Sequence, residues 1–539
     1  MDKMPKSTQH QEYVASKKEA VAAESVDRTR AAELNTQLEH EMSLWDACRL
    51  YPKAIFWVFV VSLSIIMEGY DIGLVPSLWA QPAFRSKYGD QLPDGSFQLK
   101  SYWQSLLTGV VQAGSIFGYW VSGIVIDRLG YKRTLHLCLV AITGFVFIIF
   151  FAPNVEALIA GEALLGVPWG IIQTLTTTYA GEVAPVPLRP VLTTYICMCW
   201  MIGGFIATGV LRGFVDFTTQ WAYRIPFGLQ WIWPVPIMVA VAFAPESPWW
   251  LVRVNRIDDA KRALLSLTSK KNTNYDVDAV VAMIQHTVHT ERALAYGQSY
   301  KSCFTGTNLR RTEITCVAGA VPFLAGSGFG GMIVYFMSSA GLPPRNAFDV
   351  GLGANGVNLA AVIFSWLLVA YFGRRTLYLA ALSIITTLLT IIGILGCLPA
   401  TNKDALWGTA GIMIFYSFVY MSCLGAIAYV VVAEMPASDL RNKTVAIARI
   451  FLNLLNFAGS WLIPAMINPS SWNMRGKGAF VFAGIAFVTL VWTFFRLPES
   501  KGRTFGELDI LFHKGVPARK FKETSVSLDS IDTDVKEKV

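Results

Sequence analysis

The feature that most constrains this chain is a series of long apolar runs that contain almost no charged residues. Four examples are 54–67, 134–152, 377–398 and 480–495. Runs that approach or exceed about 18 residues are long enough to cross the hydrocarbon core of a bilayer as a helix. Only 15% of the 539 residues are charged, against about 25% in a typical soluble domain. The sequence therefore predicts an all-α membrane protein with many spans and disfavours a soluble enzyme.

Twelve apolar segments can be delimited, six on each side of a hydrophilic stretch. They are 54–78, 101–126, 134–153, 156–179, 191–213, 227–244, 313–337, 348–372, 376–398, 406–431, 445–468 and 477–496. The sequence thus predicts two bundles of six helices, a linker between them and a polar tail at each end. In chain order the predicted parts are the tail 1–53, the bundle 54–244, the linker 245–312, the bundle 313–496 and the tail 497–539.

The distribution of Lys and Arg predicts the orientation in the membrane. If the N-terminus is cytoplasmic, the cytoplasmic connectors hold about twice as many of these residues as the connectors on the opposite side, which is the usual bias. Both termini are therefore expected in the cytoplasm. The net charge of +8 is then a topology signal, and no nucleic-acid partner is expected.

Three short motifs occur in the same order in both halves of the chain, which indicates an internal repeat. The matching pairs are 130–134 with 373–376, 182–189 with 434–441, and 245–247 with 498–500. Parallel repeats of six spans are typical of transporters in which two bundles rock about a central substrate site. All six copies fall on the cytoplasmic side of the predicted topology.

The charged residues of these motifs and their neighbours are predicted to form a cytoplasmic gate. An acid and a base at neighbouring helix ends can pair while the gate is closed and must separate when it opens, so the pair biases one conformation. The predicted gate residues are Asp127, Arg128, Arg133, Glu182, Arg189, Glu246, Arg374, Arg375, Glu434, Arg441 and Glu499.

Four ionisable residues lie inside apolar segments. Glu68 and Asp71 lie one turn apart in the first segment, Glu162 lies in the fourth and Arg449 lies in the eleventh. A charge inside a bilayer is costly, so it normally faces the interior of a bundle and marks an ion pathway. Burial also favours the neutral form of an acid, which can then take up a proton. These residues are predicted to couple transport to protons, and a static structural ion pair remains the alternative.

Several motifs resemble those of a known family. The run from Gly123 to Arg133, with Asp127 and Arg128, resembles the loop signature of the major facilitator superfamily, and 245–251 and 498–504 resemble its sugar-porter branch. Within that branch the chain resembles fungal α-glucoside (maltose) permeases. The features that carry this resemblance are 68–71, 168–170, 192–195 with Trp200, and Tyr429 preceding Glu434. The similarity extends from about residue 45 to 512.

The resemblance implies the major facilitator fold and a proton-coupled importer at the plasma membrane that carries an α-glucoside such as maltose. Amides suit this task because each sugar hydroxyl both donates and accepts hydrogen bonds, and aromatic faces stack on sugar rings. The candidate substrate-binding residues are Gln112, Gln173, Trp200, Asn355, Tyr429, Asn453 and Asn456. The expected partners are a small molecule, protons and the lipid bilayer, with no obligate protein partner.

The chain departs from the family at several expected sugar-binding positions. Residues 322–326 replace an amide-containing stretch of the seventh span, Cys197 and Gly204 replace amides in the fifth, and Ser115 replaces an acid in the second. Two alternatives therefore stay open. One is a major facilitator transporter of a less polar, non-sugar metabolite, and the other is a nutrient sensor that does not transport.

Neither catalysis nor metal binding is expected from the remaining residues. The eight cysteines are scattered, and the six histidines have no metal-ligand or nucleophile spacing. The sequence therefore predicts a protein that is not an enzyme and needs no metal or other cofactor.

Overall fold

The computed structural model of the protein describes most of the chain, and its membrane-spanning segments are helices. The described residues are 44–91, 95–185, 188–269, 276–295, 300–399, 402–425, 427–437, 440–501, 503 and 505–524. Among them, twelve helices are long and apolar enough to cross a membrane. The predicted all-α class and the predicted number of spans are confirmed. Most of the N-terminal tail lies outside the described residues, and the predicted division into tails, bundles and linker stays a prediction.

The first six spans, called the first bundle, and the last six, called the second bundle, follow one another along the chain. In the first bundle the helices are Pro52–Leu78, Ser101–Leu129, Tyr131–Phe150, Val155–Val183, Arg189–Phe214, and Trp221–Gly228 with Pro234–Phe243. In the second bundle they are Gly306–Leu324 with Ser327–Gly331 and Ile333–Ala340, Pro344–Tyr371, Arg374–Leu395, Lys403–Tyr420 with Ile427–Glu434, Arg441–Ile467, and Ala479–Arg496.

Shorter elements connect or flank the spans. The helices are Leu44–Leu50, Pro82–Tyr88, Pro248–Arg253, Ile257–Leu267, Val277–Ala295 and Phe505–His513, and strands Asp90–Gln91 and Phe97–Gln98 form an antiparallel pair. The backbone N–H of Ser269 donates to the carbonyl of Leu50 at 2.8 Å, so the linker lies beside the start of the first span. The side of the bundles that carries the linker is called the linker side, and the opposite side is called the distal side.

Three spans are irregular. A 3₁₀ turn, Leu229–Ile232, interrupts the sixth span, and a π-helical turn, Met421–Gly425, interrupts the tenth. The seventh breaks at Gly326, whose φ of 93° is a left-handed conformation that glycine adopts readily. A broken helix inside a membrane leaves backbone groups that need partners. The Tyr416 hydroxyl supplies one by donating to the Ala325 carbonyl at 2.9 Å.

Small residues allow the helices of the first bundle to pack closely. A Cβ atom added at Gly170 would overlap the carbonyl of Ser115, and one added at Gly69 would lie 2.5 Å from the carbonyl of Trp200. Such glycines let two helix backbones approach directly, as is common in membrane bundles. The first span is thereby held against the fifth, and the second against the fourth, around the acids of the first span.

Candidate functional site

Two buried acids of the first span lie at different depths in the first bundle. Asp71 is 1% exposed, and both of its oxygens accept hydrogen bonds. Trp169 Nε1 of the fourth span donates to Oδ2 at 3.1 Å, and Gln230 Nε2 of the sixth span donates to Oδ1 at 2.8 Å. Glu68 lies one turn nearer the linker side and is 4% exposed, and the indole of Trp200 lies beside it.

Glu162 of the fourth span is the third buried acid. It is 1% exposed, and neither of its carboxyl oxygens has a hydrogen-bond partner among the described residues. It lies within electrostatic range of Asp71. A buried carboxylate without donors is strongly disfavoured relative to the neutral acid. The structure therefore brings two carboxyl groups together, one supplied with donors and one without.

Arg449 of the eleventh span is exposed, and within the described part of the chain no carboxylate forms an ion pair with it. Tyr119 of the second span lies within electrostatic range of both Glu68 and Arg449, and Tyr429 of the tenth also lies close to Arg449. Tyr119 therefore lies near both Glu68 of the first bundle and Arg449 of the second.

The predicted substrate-binding residues fall into two groups. In the first bundle, the Tyr119 hydroxyl donates to Gln173 Oε1, while Trp200 and Gln112 are half-buried. In the second, Tyr429 is 49% exposed. Asn453 and Asn456 are half-buried on the same span as Arg449. These polar and aromatic groups come from both bundles, as a central site requires.

Asn355 lies apart from this group because it already bridges the two bundles. Its Nδ2 donates to Thr208 Oγ1 at 3.0 Å and to the Gly204 carbonyl at 3.4 Å. A Cβ at Gly204 would lie 3.9 Å from Asn355 Oδ1, so the absence of a larger side chain there leaves room for this contact. In this conformation Asn355 joins the eighth span to the fifth.

Further hydrogen bonds and ion pairs join the two bundles at their distal ends. The Tyr335 hydroxyl of the seventh span, fully buried, accepts from Gln104 Nε2 at 3.0 Å. Arg212 of the fifth span pairs with Asp349 of the eighth at 2.5 Å. Arg345 and Asp216 form a second, looser pair at 3.8 Å, and Asn468 donates to the Leu99 carbonyl at 2.9 Å. The bundles are therefore closed against each other on the distal side.

On the linker side, the repeated motifs form the same structure twice. Glu246 accepts the backbone N–H of Tyr131 at 2.9 Å, at the start of the third span. Glu499 accepts the backbone N–H of Arg374 at 2.8 Å, at the start of the ninth. A helix N-terminus presents free N–H groups and a positive dipole end, which suits a carboxylate. Burial raises the pKa of Glu246, and the N–H donors oppose that rise.

A second acid in each half completes the repeat. Glu182 pairs with Arg253 at 2.5 Å and accepts the hydroxyl of Ser247. Glu434 pairs with Arg374 at 3.1 Å and accepts the hydroxyl of Ser500 at 2.6 Å. Each of these contacts stays within one half of the protein. Five predicted gate residues thus take part in these linker-side contacts, Glu182 and Glu246 in the first half and Arg374, Glu434 and Glu499 in the second.

The other predicted gate residues have varied surroundings. Asp127, Arg128 and Arg133 are exposed, and the Asp127 carbonyl accepts from Trp250 Nε1 at 3.1 Å. Arg375 donates to the Phe494 carbonyl at 2.8 Å, within the second half. Arg441 lies near Asp509. The side chain of Arg189 lies outside the described residues.

Comparison with known proteins identifies the family. Residues 57–512 match the sugar (and other) transporter family. The chain belongs to this family. It is 37% identical to the general α-glucoside permease of Saccharomyces cerevisiae, over 92% of this chain and 81% of that protein. It is 36% identical to the maltose permease MAL61 of the same species, over 90% of this chain and 80% of the relative.

The fold matches that of a solved transporter. The xylose transporter XylE from E. coli, in a partially occluded inward-open conformation, has a TM-score of 0.68 and 18% sequence identity, over 84% of this chain and 99% of XylE. The predicted major facilitator fold and the resemblance to α-glucoside permeases are confirmed. The chain is a multi-pass membrane protein and a major facilitator sugar transporter, not an enzyme.

At one of the positions where this sugar transporter departs from the family's amides, apolar packing takes their place. A Cβ at Gly459 of the eleventh span would overlap the ring of Phe323, so that ring fits against a glycine. Pro322 lies inside the helix just before the break at Gly326. This stretch of the seventh span therefore contributes hydrophobic contacts and a bend.

Sequence reasoning missed four side chains of the site: Tyr119, Trp169 and Gln230 around the acids, and Arg253 in the gate. Trp169 belongs to the 168–170 motif that supports the family resemblance, so its position carried a signal. Gln230 and Tyr119 carried only a weak one, because Gln230 is an isolated amide in an apolar span and Tyr119 is one of several polar groups in the second span. Arg253 was indistinguishable from the other basic residues of the linker.

Proposed function

We propose that this sugar transporter is a proton-coupled symporter that imports an α-glucoside such as maltose across the plasma membrane by alternating access. The observation that carries the proposal is the group of three buried carboxyl groups inside the first bundle, Glu68, Asp71 and Glu162. Acids inside a membrane protein are expensive to ionise and commonly serve as proton sites. With no ion pair holding them among the described residues, they are free to change protonation during transport.

Alternating access is supported by the distribution of contacts between the bundles. On the distal side, Tyr335 with Gln104 and Arg212 with Asp349 join the first bundle to the second. On the linker side, the contacts of Glu182 stay within its own half. With both termini in the cytoplasm, as the basic residues favour, this is a conformation closed to the outside. Import then requires the distal contacts to break and the linker ends of the bundles to close.

A sugar is the substrate class that best fits the polar and aromatic candidate residues of the two bundles. Tyr429 and Trp200 offer aromatic faces from opposite bundles, and Gln173 and Asn453 offer amides that can donate and accept. The relatives named above as permeases of α-glucosides and maltose support an α-glucoside. Glu68 beside Trp200 places one acid next to these groups, so substrate and proton binding can influence each other.

A less polar, non-sugar metabolite is the second candidate substrate. It is favoured by the apolar packing of Phe323 against Gly459, which occupies a place where sugar porters usually present amides. A hydroxyl that loses its partner on entering a buried site is disfavoured by about 1–3 kcal/mol. A substrate with fewer hydroxyl groups avoids this loss.

Uptake of labelled maltose by cells that lack their own sugar carriers tests the proposal. We expect accumulation above the external concentration, abolished by a protonophore. Labelling at the cell surface controls for delivery of the protein. If the protein reaches the surface and no sugar enters, the α-glucoside assignment is wrong. If a non-sugar solute then accumulates in a protonophore-sensitive way, the second candidate takes its place.

A further inference from the structure

Asp71 is held by two donors from two other spans. Trp169 and Gln230 are almost fully buried, and each supplies an N–H to a different carboxyl oxygen, at 3.1 and 2.8 Å. An indole N–H and an amide NH₂ can only donate, so Asp71 acts as the acceptor in both bonds. Hydrogen bonds to an ionised carboxylate are stronger than those to a neutral group. The geometry therefore stabilises the ionised form of Asp71.

Glu162 has the opposite environment. Both of its oxygens are buried without a partner among the described residues, and it lies within electrostatic range of Asp71. Two neighbouring carboxylates without a cation repel each other, so one of them keeps its proton. Since the donors are at Asp71, the neutral acid is Glu162.

The other titratable groups near Asp71 do not alter this assignment. Glu68 and Tyr70 on the same span lie within electrostatic range, and neither supplies positive charge. The Tyr70 hydroxyl is already used, because it donates to the Pro226 carbonyl at 2.7 Å. No lysine, arginine or histidine of the described residues forms an ion pair with Asp71.

Gln230 has a second property that suits a changing carboxyl group. Its Oε1 is buried and has no partner among the described residues. An amide that is turned over presents its carbonyl in place of its NH₂. Gln230 can therefore donate to Asp71 while the acid is ionised and accept from it once the acid is protonated.

We propose that Trp169 and Gln230 are positioning residues that hold Asp71 ionised and leave the proton of the buried acid pair on Glu162. The inference rests on the proposed proton coupling and names the groups that set its protonation states. The proton pair is thus built entirely within the first bundle, from its first, fourth and sixth spans.

Infrared spectroscopy of the purified protein tests the assignment without transport. At neutral pH we expect a carboxylic-acid C=O band that Glu162→Gln removes and Asp71→Asn leaves in place. The Glu68→Gln variant identifies any separate contribution from that acid. Loss of the band in Asp71→Asn with its survival in Glu162→Gln overturns the assignment, and so does a band that neither variant changes. Glutamine matches the shape of a neutral glutamate, so the Glu162→Gln variant is expected to fold.

The pH profile of uptake tests the two positioning residues. Gln230→Leu and Trp169→Phe each remove one donor from ionised Asp71, so protonation of Asp71 begins at a higher pH than in the wild type. We expect the pH at which proton-driven uptake falls to half to rise by about one to two units in each variant, the equivalent of one hydrogen bond to a charged group.

Trp79→Phe is the matched control for this experiment. Trp79 is as buried as Trp169, at 1% exposed, but its indole nitrogen has no partner among the described residues. In Trp79→Phe, the pH at which uptake falls to half should stay at the wild-type value even if the rate of uptake changes. An equal shift in all three variants, or no shift in Gln230→Leu and Trp169→Phe, overturns the inference. If wild-type uptake does not respond to protons, the proposed function fails, and the infrared test still decides the assignment.

Discussion

The two halves of the protein form the same linker-side structure, but the arginine that pairs with the acid comes from a different element in each half. Glu182 and Glu434 occupy matching positions at the ends of the fourth and tenth spans, and each accepts a serine hydroxyl from the motif that follows its bundle. Glu182 pairs with Arg253, the last residue of a short helix after the sixth span. Glu434 pairs with Arg374, the first residue of the ninth span.

The acid therefore lies at the same place in both halves of the repeat, while the arginine that pairs with it comes from a different element in each. The residue that matches Arg374 in the first half is Tyr131, so the first bundle has to take its arginine from outside its own spans. The linker is thereby tied to the first bundle by an ion pair. In the second half the corresponding pair lies within the bundle. Breaking these pairs therefore has different consequences in the two halves.

The largest expected change in stability comes from replacing the two glycines that lie against the helix-end carboxylates. Gly130 has a φ of 82° and its Cβ would lie 2.8 Å from Glu246, whereas Gly373 has an ordinary φ and its Cβ would overlap Glu499. Gly130→Ala combines left-handed strain with displacement of the carboxylate, and we expect it to lower the free energy of unfolding by about 3 kcal/mol. Gly373→Ala displaces only the carboxylate, for about 2 kcal/mol.

Double-mutant cycles in detergent-solubilised protein distinguish these two causes. When Glu499 is already alanine, Gly373→Ala should cause almost no further loss of stability, because the carboxylate that it would displace is absent. Combining Gly130→Ala with Glu246→Ala should leave the backbone strain of about 1–2 kcal/mol. Equal residual effects in the two cycles contradict the account.

The next largest expected effect is the loss of stability when either gate arginine, Arg253 or Arg374, is removed. Glu182, the acid that pairs with Arg253, is less exposed than Glu434, at 12% against 22% of its side chain. Removing the partner of a more buried acid leaves a less solvated charge. We expect Arg253→Ala to destabilise the protein by about 2 kcal/mol and Arg374→Ala by about 1 kcal/mol, since the charge left on Glu434 is more screened by solvent. The measurement is chemical unfolding, with the exposed Arg128→Ala as the control that should change little. A larger effect at Arg374 is the contradicting result.

The smallest effect is a pH dependence at Glu246. Burial raises the pKa of Glu246 in the folded protein above its usual 4.5. At a pH between the unfolded-state pKa and the folded-state pKa, the folded protein therefore binds more protons than the unfolded chain. This part of the stability is present at low pH and is lost as the pH rises through that window. Glu246→Gln removes this titration, so it should flatten the dependence of the free energy of unfolding on pH within that window. An unchanged slope in unfolding measured across that range excludes Glu246 as its source.

The sequence predicted the features that repeat along the chain. Run lengths gave twelve spans, and three motif pairs gave the internal repeat, because both signals are local. Glu68, Asp71 and Glu162 were predicted as buried acids because a carboxylate inside an apolar run has few alternatives. These expectations needed no knowledge of which helices touch.

The partners of these residues were not predictable from the sequence. Trp169 and Gln230 lie 98 and 159 positions from Asp71, and only the packing of the first, fourth and sixth spans brings them together. Arg449, which was predicted to take part in proton coupling with these acids, lies in the other bundle without an ion pair in the described part of the chain. The arginine partners of Glu182 and Glu434 were not predictable either. Arg253 and Arg374 lie on different elements of the two halves, and the sequence does not show which basic residue each acid contacts.

The central claim is that the acids of the first bundle couple sugar movement to protons. The most direct measurement is accumulation of labelled maltose in proteoliposomes under an imposed pH gradient, comparing wild type with Asp71→Asn. The account predicts that the wild type concentrates the sugar, while Asp71→Asn still exchanges it across the membrane without accumulating it. Full concentrative uptake by Asp71→Asn would contradict the account.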